Sequence, residues 1–305
     1  MINIPGTPII GGTNSGIWTP GAVLIGNSSA AGQVVDVIDL TSPALDSRVT
    51  FTGPAYRYFN ATGALVECSE NEWPLEYRNG SAIGRREPFA ASSNAISALQ
   101  AEYMTIGAPD GWLTQYTEKS GNTYHRLRFN TTATGPLTLQ IFYKILGREN
   151  LCLRIATNTA NNYRNIGING GEITYAGDGI TNTAITNCGD GVYLLRAAMN
   201  YVSGVLGLLT AEAVVTSDDL PRVATLDANA GFYVGYPQLT AGELAAPPLD
   251  LGESLPASSV VIDTSAALRI TVRYSDGTTD SYDTPGVAFT LPAGERHIKR
   301  IELKQ

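Results

Sequence analysis

The sequence predicts an all-β protein built around a two-sheet sandwich. Charged residues make up only 16% of the 305 positions. Gly, Thr, Asn and Ser take up the difference, a mix that suits short strands joined by tight turns and suits helices poorly. Runs of apolar/polar alternation with a period of two recur along the chain, separated by turn residues. No strand–helix alternation is present, which argues against a parallel α/β sheet.

Residues 1–44 form the first segment. Pro5, Pro8, Pro20 and the Gly11–Gly12 pair interrupt any regular element, so the stretch is expected to act as a docking arm that orders against a neighbour. Residues 45–100 follow as a hairpin-rich segment. Val49-Thr50-Phe51-Thr52 alternates, and Asn60-Ala61-Thr62-Gly63 turns the chain between Tyr56–Phe59 and Ala64–Glu67. Asn79-Gly80 between Trp73–Tyr77 and Ala82–Pro88 is a strong hairpin signal, because both residues tolerate positive φ. Asn94–Glu102, with Asn94 as a cap and Ala95, Ile96, Ala98, Leu99 and Ala101 behind it, reads as a short helix.

Residues 101–245 carry strands at short intervals, among them Tyr124–Asn130, Leu137–Leu146, Leu151–Thr157, Gly191–Met199 and Phe232–Leu239. Such spacing predicts a two-sheet sandwich of the jelly-roll kind. Ala245–Pro256, with Pro247, Pro248 and Pro256, reads as a stiff linker. It opens the last segment, 246–305, whose strand Leu268–Tyr274 alternates strictly and whose turn is Ser275-Asp276-Gly277-Thr278. A module of that size has a marginal core alone and is expected to lean on the sandwich or on another copy.

The net charge is −8 and the isoelectric point about 4.8. Sequence-independent binding to nucleic acid needs clustered Lys and Arg, and Arg85–Arg86 and Lys299–Arg300 are isolated pairs; no nucleic-acid partner is expected. Cys68, Cys152 and Cys188 fit neither a metal knuckle nor a CxxC motif, and an odd count reads as reduced, structural thiols. Neither a signal peptide nor membrane insertion is expected: Met1–Pro20 lacks a basic segment followed by an apolar run, and the most apolar stretch, Val202–Val215, is short and broken by Gly204, Gly207 and Glu212.

Several segments resemble tail proteins of tailed bacteriophages. Leu45–Thr52 followed by Tyr58–Val66 is similar to an alternating strand and aromatic hairpin of that family, and Asn71-Glu72-Trp73-Pro74-Leu75-Glu76-Tyr77 occupies the place of its following element. Phe232–Glu243 resembles the last strand of the family's concanavalin-like jelly roll, and Val272–Gly277, Phe289–Pro292 and Ile298–Ile301 resemble a closing β-module of fibre proteins. Gly53-Pro54, where the family has Arg-Ala-Ser, and Thr240, where it has Glu, are departures. The resemblance implies a concanavalin-like jelly roll and a structural tail-fibre or tail-spike component of the virion, folded in the host bacterial cytoplasm. It also implies a homo-oligomer, with a trimer expected, attachment to other tail proteins through the N-terminal arm, and adhesion to a bacterial surface glycan.

Sugar recognition calls for aromatic faces beside amide and hydroxyl donors. Tyr163 within Asn161-Asn162-Tyr163-Arg164, and Trp112 with Tyr116, are the candidate glycan contacts. A glycan depolymerase is the rival reading and a purely architectural decoration protein a third. Hydrolysis needs two carboxylates facing one bond; Glu102, Asp110, Glu118, Asp178 and Asp190 are the acids weighed, nearly all in turns, and no catalytic residue is assigned. Only His125 and His297 are available for a triad, and no Gly-x-Ser-x-Gly elbow exists. No metal ligand or cofactor is assigned, since the Asp-bearing turns at 178–182 and 189–191 do not match a calcium loop.

Overall fold

A computed structural model describes residues 33–305 apart from 122–123, 157–162, 202–205, 222, 224, 243, 266 and 285. Most of the expected docking arm therefore lies outside the described residues. Among the described residues there is no helix, and the strands pair antiparallel throughout.

Two six-stranded sheets form the centre. In the first, Gly135–Leu146 runs between Val192–Tyr201 and Gly231–Ala241. In the second, Leu206–Ala211 runs between Asn150–Ala156 and Arg126–Thr131. The two share one hydrophobic core: Leu139, Ile141 and Tyr143 from the first sheet meet Leu151, Leu153 and Leu208 from the second. Each of these side chains is fully buried, and full burial of an aliphatic side chain contributes about 1.5–3 kcal/mol. This is the layering of a β-sandwich.

The segment read as a helix is a strand. Ile96–Glu102 pairs with Arg126–Thr131 at the edge of the second sheet. Leu99 and Ala101 turn toward the core, while Ala98 and Gln100 face out. Pairing and burial override the helix propensity of an Ala-rich run. Asn94 does not cap anything helical. Its side-chain amide donates to Pro237 O (3.1 Å) and Asp250 O (3.0 Å), and its Oδ1 accepts from the N–H groups of Ile96 (3.0 Å) and Leu239 (3.3 Å).

The chain on either side of the sandwich folds together. The last strand, His297–Lys304, pairs with Arg269–Tyr274 on one side and, on the other, with Val34–Asp39 and the end of Ser81–Arg86. Val49–Thr52 pairs with Ser259–Asp263. One core unites Phe51, Tyr56 and Trp73 with Val260, Ile270 and Ile301. The hairpin-rich segment and the C-terminal segment thus make one module, and the sandwich is inserted between its halves. Residues 245–249, read as part of a linker, are buried as a strap: Gln140 Nε2 donates to Ala246 O (2.8 Å), and Leu249 N–H donates to Gln238 Oε1 (2.9 Å).

The Asn79-Gly80 turn is as expected. Asn79 has φ 50° and Gly80 φ 72°, and the turn joins Glu76–Arg78 to Ser81–Arg86. Two positive φ values give the strand twist a hairpin needs.

Candidate functional site

The sequence-derived glycan candidates do not come together. Tyr116 is only 5% exposed and packs against Phe232 in the sandwich core. It cannot present a face to a sugar, which corrects that reading: the alternating strand Thr114–Glu118 points Tyr116 inward. Trp112 is half-buried in an aromatic cluster with Phe59, Phe142 and Tyr236, where the two modules meet. Tyr163 begins a strand of the opposite sheet, and the Arg154 guanidinium covers its ring at 4.0 Å. Arg164 donates to Tyr163 O (2.9 Å) and Asp178 O (3.2 Å) and pairs with Asp218 at 3.4 Å. Asn161 and Asn162 lie outside the described residues.

The acids weighed for hydrolysis are also dispersed. Glu102 pairs with Arg126 (2.5 Å), Asp110 with Lys144 (2.8 Å), and buried Glu118 with Arg148 (2.6 Å). Asp190 sits at a turn with φ 51°. Asp178 is exposed.

The structure instead opens a cleft between the two modules, a cavity of about 220 Å³. The outer face of the first sandwich sheet supplies one wall, with Gln140, Phe142, Thr186, Cys188 and Arg196. The Glu76–Arg78 hairpin, Tyr58, Phe59 and the segment 295–297 supply the other. Domain junctions are a favoured place for ligand sites.

Charges dominate this cleft, and most are paired. Arg86 grips Glu76 through two hydrogen bonds of 3.0 Å, and His297 Nε2 lies 2.9 Å from Glu76 Oε2. Burial of Glu76 opposes its ionisation. The Arg86 charge, the charge that His297 takes up in acid and the hydrogen bonds from His297 and Arg86 outweigh that and hold the carboxyl down at about 2. Burial pushes His297 below its ordinary value, against the pull of Glu76. His297 is therefore neutral at pH 7 and gives Glu76 an N–H donor, while Arg86 carries the balancing charge. Across the cleft Arg196 pairs with Glu295, whose other oxygen accepts from the Ala245 N–H. Burial raises Glu295 in spite of these partners. Arg57 pairs with Asp250 (2.7 Å) and Glu253 (2.6 Å) and lies over the Tyr236 ring. Arg296 pairs with Glu87 (3.0 Å) and with Asp280. Burial pushes the Cys188 thiol up to about 11, so it stays protonated and is a poor nucleophile.

Glu76 and Glu295 resemble a low and a high carboxyl pair of the kind hydrolases use. Their oxygens, however, all accept from groups of the protein itself. Neither is free to protonate a leaving group or attack a sugar carbon.

Sequence reasoning missed this cleft because its residues come from segments far apart in the chain. The available signal was the Glu76-Tyr77-Arg78 strand itself: charged residues alternating beside an Asn-Gly turn in a chain poor in charge. A scan against protein-family models and a search of curated proteins find no match to this chain.

Proposed function

We propose that the chain is a host-adhesion subunit of a phage tail appendage, and that it binds a bacterial surface glycan in the cleft between its modules. One observation carries the glycan reading: the cleft is lined by the half-buried rings of Tyr58 and Tyr77 together with the half-buried polar side chains of Arg78 and Thr186. Sugars offer apolar C–H faces and hydroxyls together, and such a lining suits both. The tail-appendage role rests on the sequence resemblance and is compatible with an all-β chain. The jelly-roll form of the sandwich, assembly as a trimer and attachment through residues 1–44 belong to the same proposal. Several copies would multiply weak contacts through effective concentration.

The test uses the whole chain against purified bacterial surface polysaccharides on an array. Binding is expected, and Tyr77→Ala should abolish it while leaving the thermal melt nearly unchanged. No binding to any polysaccharide, or binding indifferent to Tyr77→Ala, would overturn the assignment of the cleft. New reducing ends released from a polysaccharide by the chain would overturn the adhesion reading in favour of a depolymerase.

A further inference from the structure

Arg78 differs from every other arginine in the cleft. Arg57, Arg86, Arg196 and Arg296 each have a carboxylate partner. Arg78 is half-buried, lines the cleft, and makes no ion pair or side-chain hydrogen bond among the described residues. Its charge is felt at the Cys188 thiol and at His297, both uncharged at neutral pH. Asp276, the remaining acid of the cleft, accepts from the N–H and hydroxyl of Thr278 at 2.8 and 2.6 Å.

A guanidinium stays charged at any physiological pH, and a partly desolvated charge without a partner is unfavourable. Arg78 therefore offers the cleft a planar, two-pronged donor that no carboxylate of the described residues engages. That fork matches a carboxylate. The same fork would also meet a phosphate group, so inorganic phosphate is the competing probe. The volume, about 220 Å³, lies below the roughly 300–1,000 Å³ of sites for larger ligands. It suits one sugar residue, at a chain end or a side branch.

We propose that the cleft selects an acidic sugar, a uronic or ulosonic acid residue, whose carboxylate is received by Arg78. This rests on the glycan-binding reading and specifies its ligand class. Neutral sugars, lacking the carboxylate, leave the guanidinium unpaired and bind more weakly.

The experiment titrates the full chain with methyl glucuronide, methyl galacturonide and the methyl glycoside of N-acetylneuraminic acid, against methyl glucoside and inorganic phosphate, by calorimetry or amide chemical shifts. At least one sugar acid is expected to bind no less than tenfold more tightly than methyl glucoside and phosphate. Arg78→Gln should weaken that sugar acid at least tenfold without changing the melt, and Arg78→Lys should restore part of the loss. Sugar acids and glucoside binding alike, with Arg78→Gln neutral, would overturn this inference and leave glycan adhesion standing. Phosphate binding in place of every sugar, or no binding by any probe together with a blank polysaccharide array, would overturn both.

Discussion

Glu76 and His297 stand 221 positions apart in the chain and 2.9 Å apart in the fold. Their contact sits at one wall of the cleft, where the hairpin 76–86 meets the last strand. The same strand takes up Val34–Asp39 further along. One wall of the cleft is therefore built where the last strand returns to the 76–86 hairpin after the sandwich.

That return has a narrow point at Gly84. Its φ is 105°, and a Cβ there would lie 2.1 Å from the Ile298 carbonyl oxygen. Gly84→Ala is expected to destabilise the outer module by about 1–3 kcal/mol, the usual cost of overpacking, with added strain from the positive φ. Hydrogen exchange should show faster exchange in 81–86 and 297–304, with the sandwich strands 135–146 and 150–156 protected as before.

Asn94 joins the sandwich to the strap that follows it. Asn94→Ala leaves the N–H groups of Ile96 and Leu239 and the carbonyls of Pro237 and Asp250 without this partner. Each buried group left unpaired costs about 1–3 kcal/mol. A urea melt is expected to show a loss of at least about 2 kcal/mol, and Asn94→Asp should recover only the two bonds accepted by Oδ1.

The Glu76–His297 pair makes stability depend on pH with a definite sign. Burial lowers His297 in the folded state, so below its unfolded value near 6.5 the unfolded chain binds the extra proton and stability falls with acid. Glu76, held at about 2, is likewise ionised in the folded state, and its contribution is lost as pH falls from about 4.5 toward 2. Glu295 is raised and works the other way between its unfolded and folded values. His297→Gln keeps a side-chain donor for Glu76 without the titration. The wild-type chain should lose urea stability relative to His297→Gln between pH 7.5 and 5.5; parallel curves would contradict the burial of a neutral imidazole.

Trp112 reports the junction of the modules. Its ring centroid lies 5.1 Å from that of Phe142 and 6.0 Å from that of Phe59. Phe59→Ala removes one wall of this cluster. A core Phe→Ala costs about 3–5 kcal/mol, and a half-buried one less. A red shift of tryptophan emission with a melt lowered by a few degrees is expected.

The period-two runs were readable in advance because a strand's pattern is local. Arg269–Tyr274 and the Asn79-Gly80 hairpin fall where alternation and turn chemistry put them. The segment 96–102 was misread for the opposite reason: its Ala-rich composition favours a helix, and only its place beside Arg126–Thr131 makes it a strand. The strap 245–249 looked like a spacer because prolines mark linkers, yet Gln140 and Gln238, distant in sequence, hold it down. Pairings between remote segments leave no local mark. The cleft is built from such pairings: the return of the last strand sets His297 beside Arg86, facing Arg196 on the sandwich sheet.

The most direct test of the cleft as the glycan site is a crystal structure of the chain soaked with the tightest-binding acidic oligosaccharide. The account predicts a sugar ring between the two modules with its carboxylate at hydrogen-bonding distance from the Arg78 guanidinium. A sugar bound instead at the Tyr163 face of the opposite sheet, with the cleft empty, would contradict it.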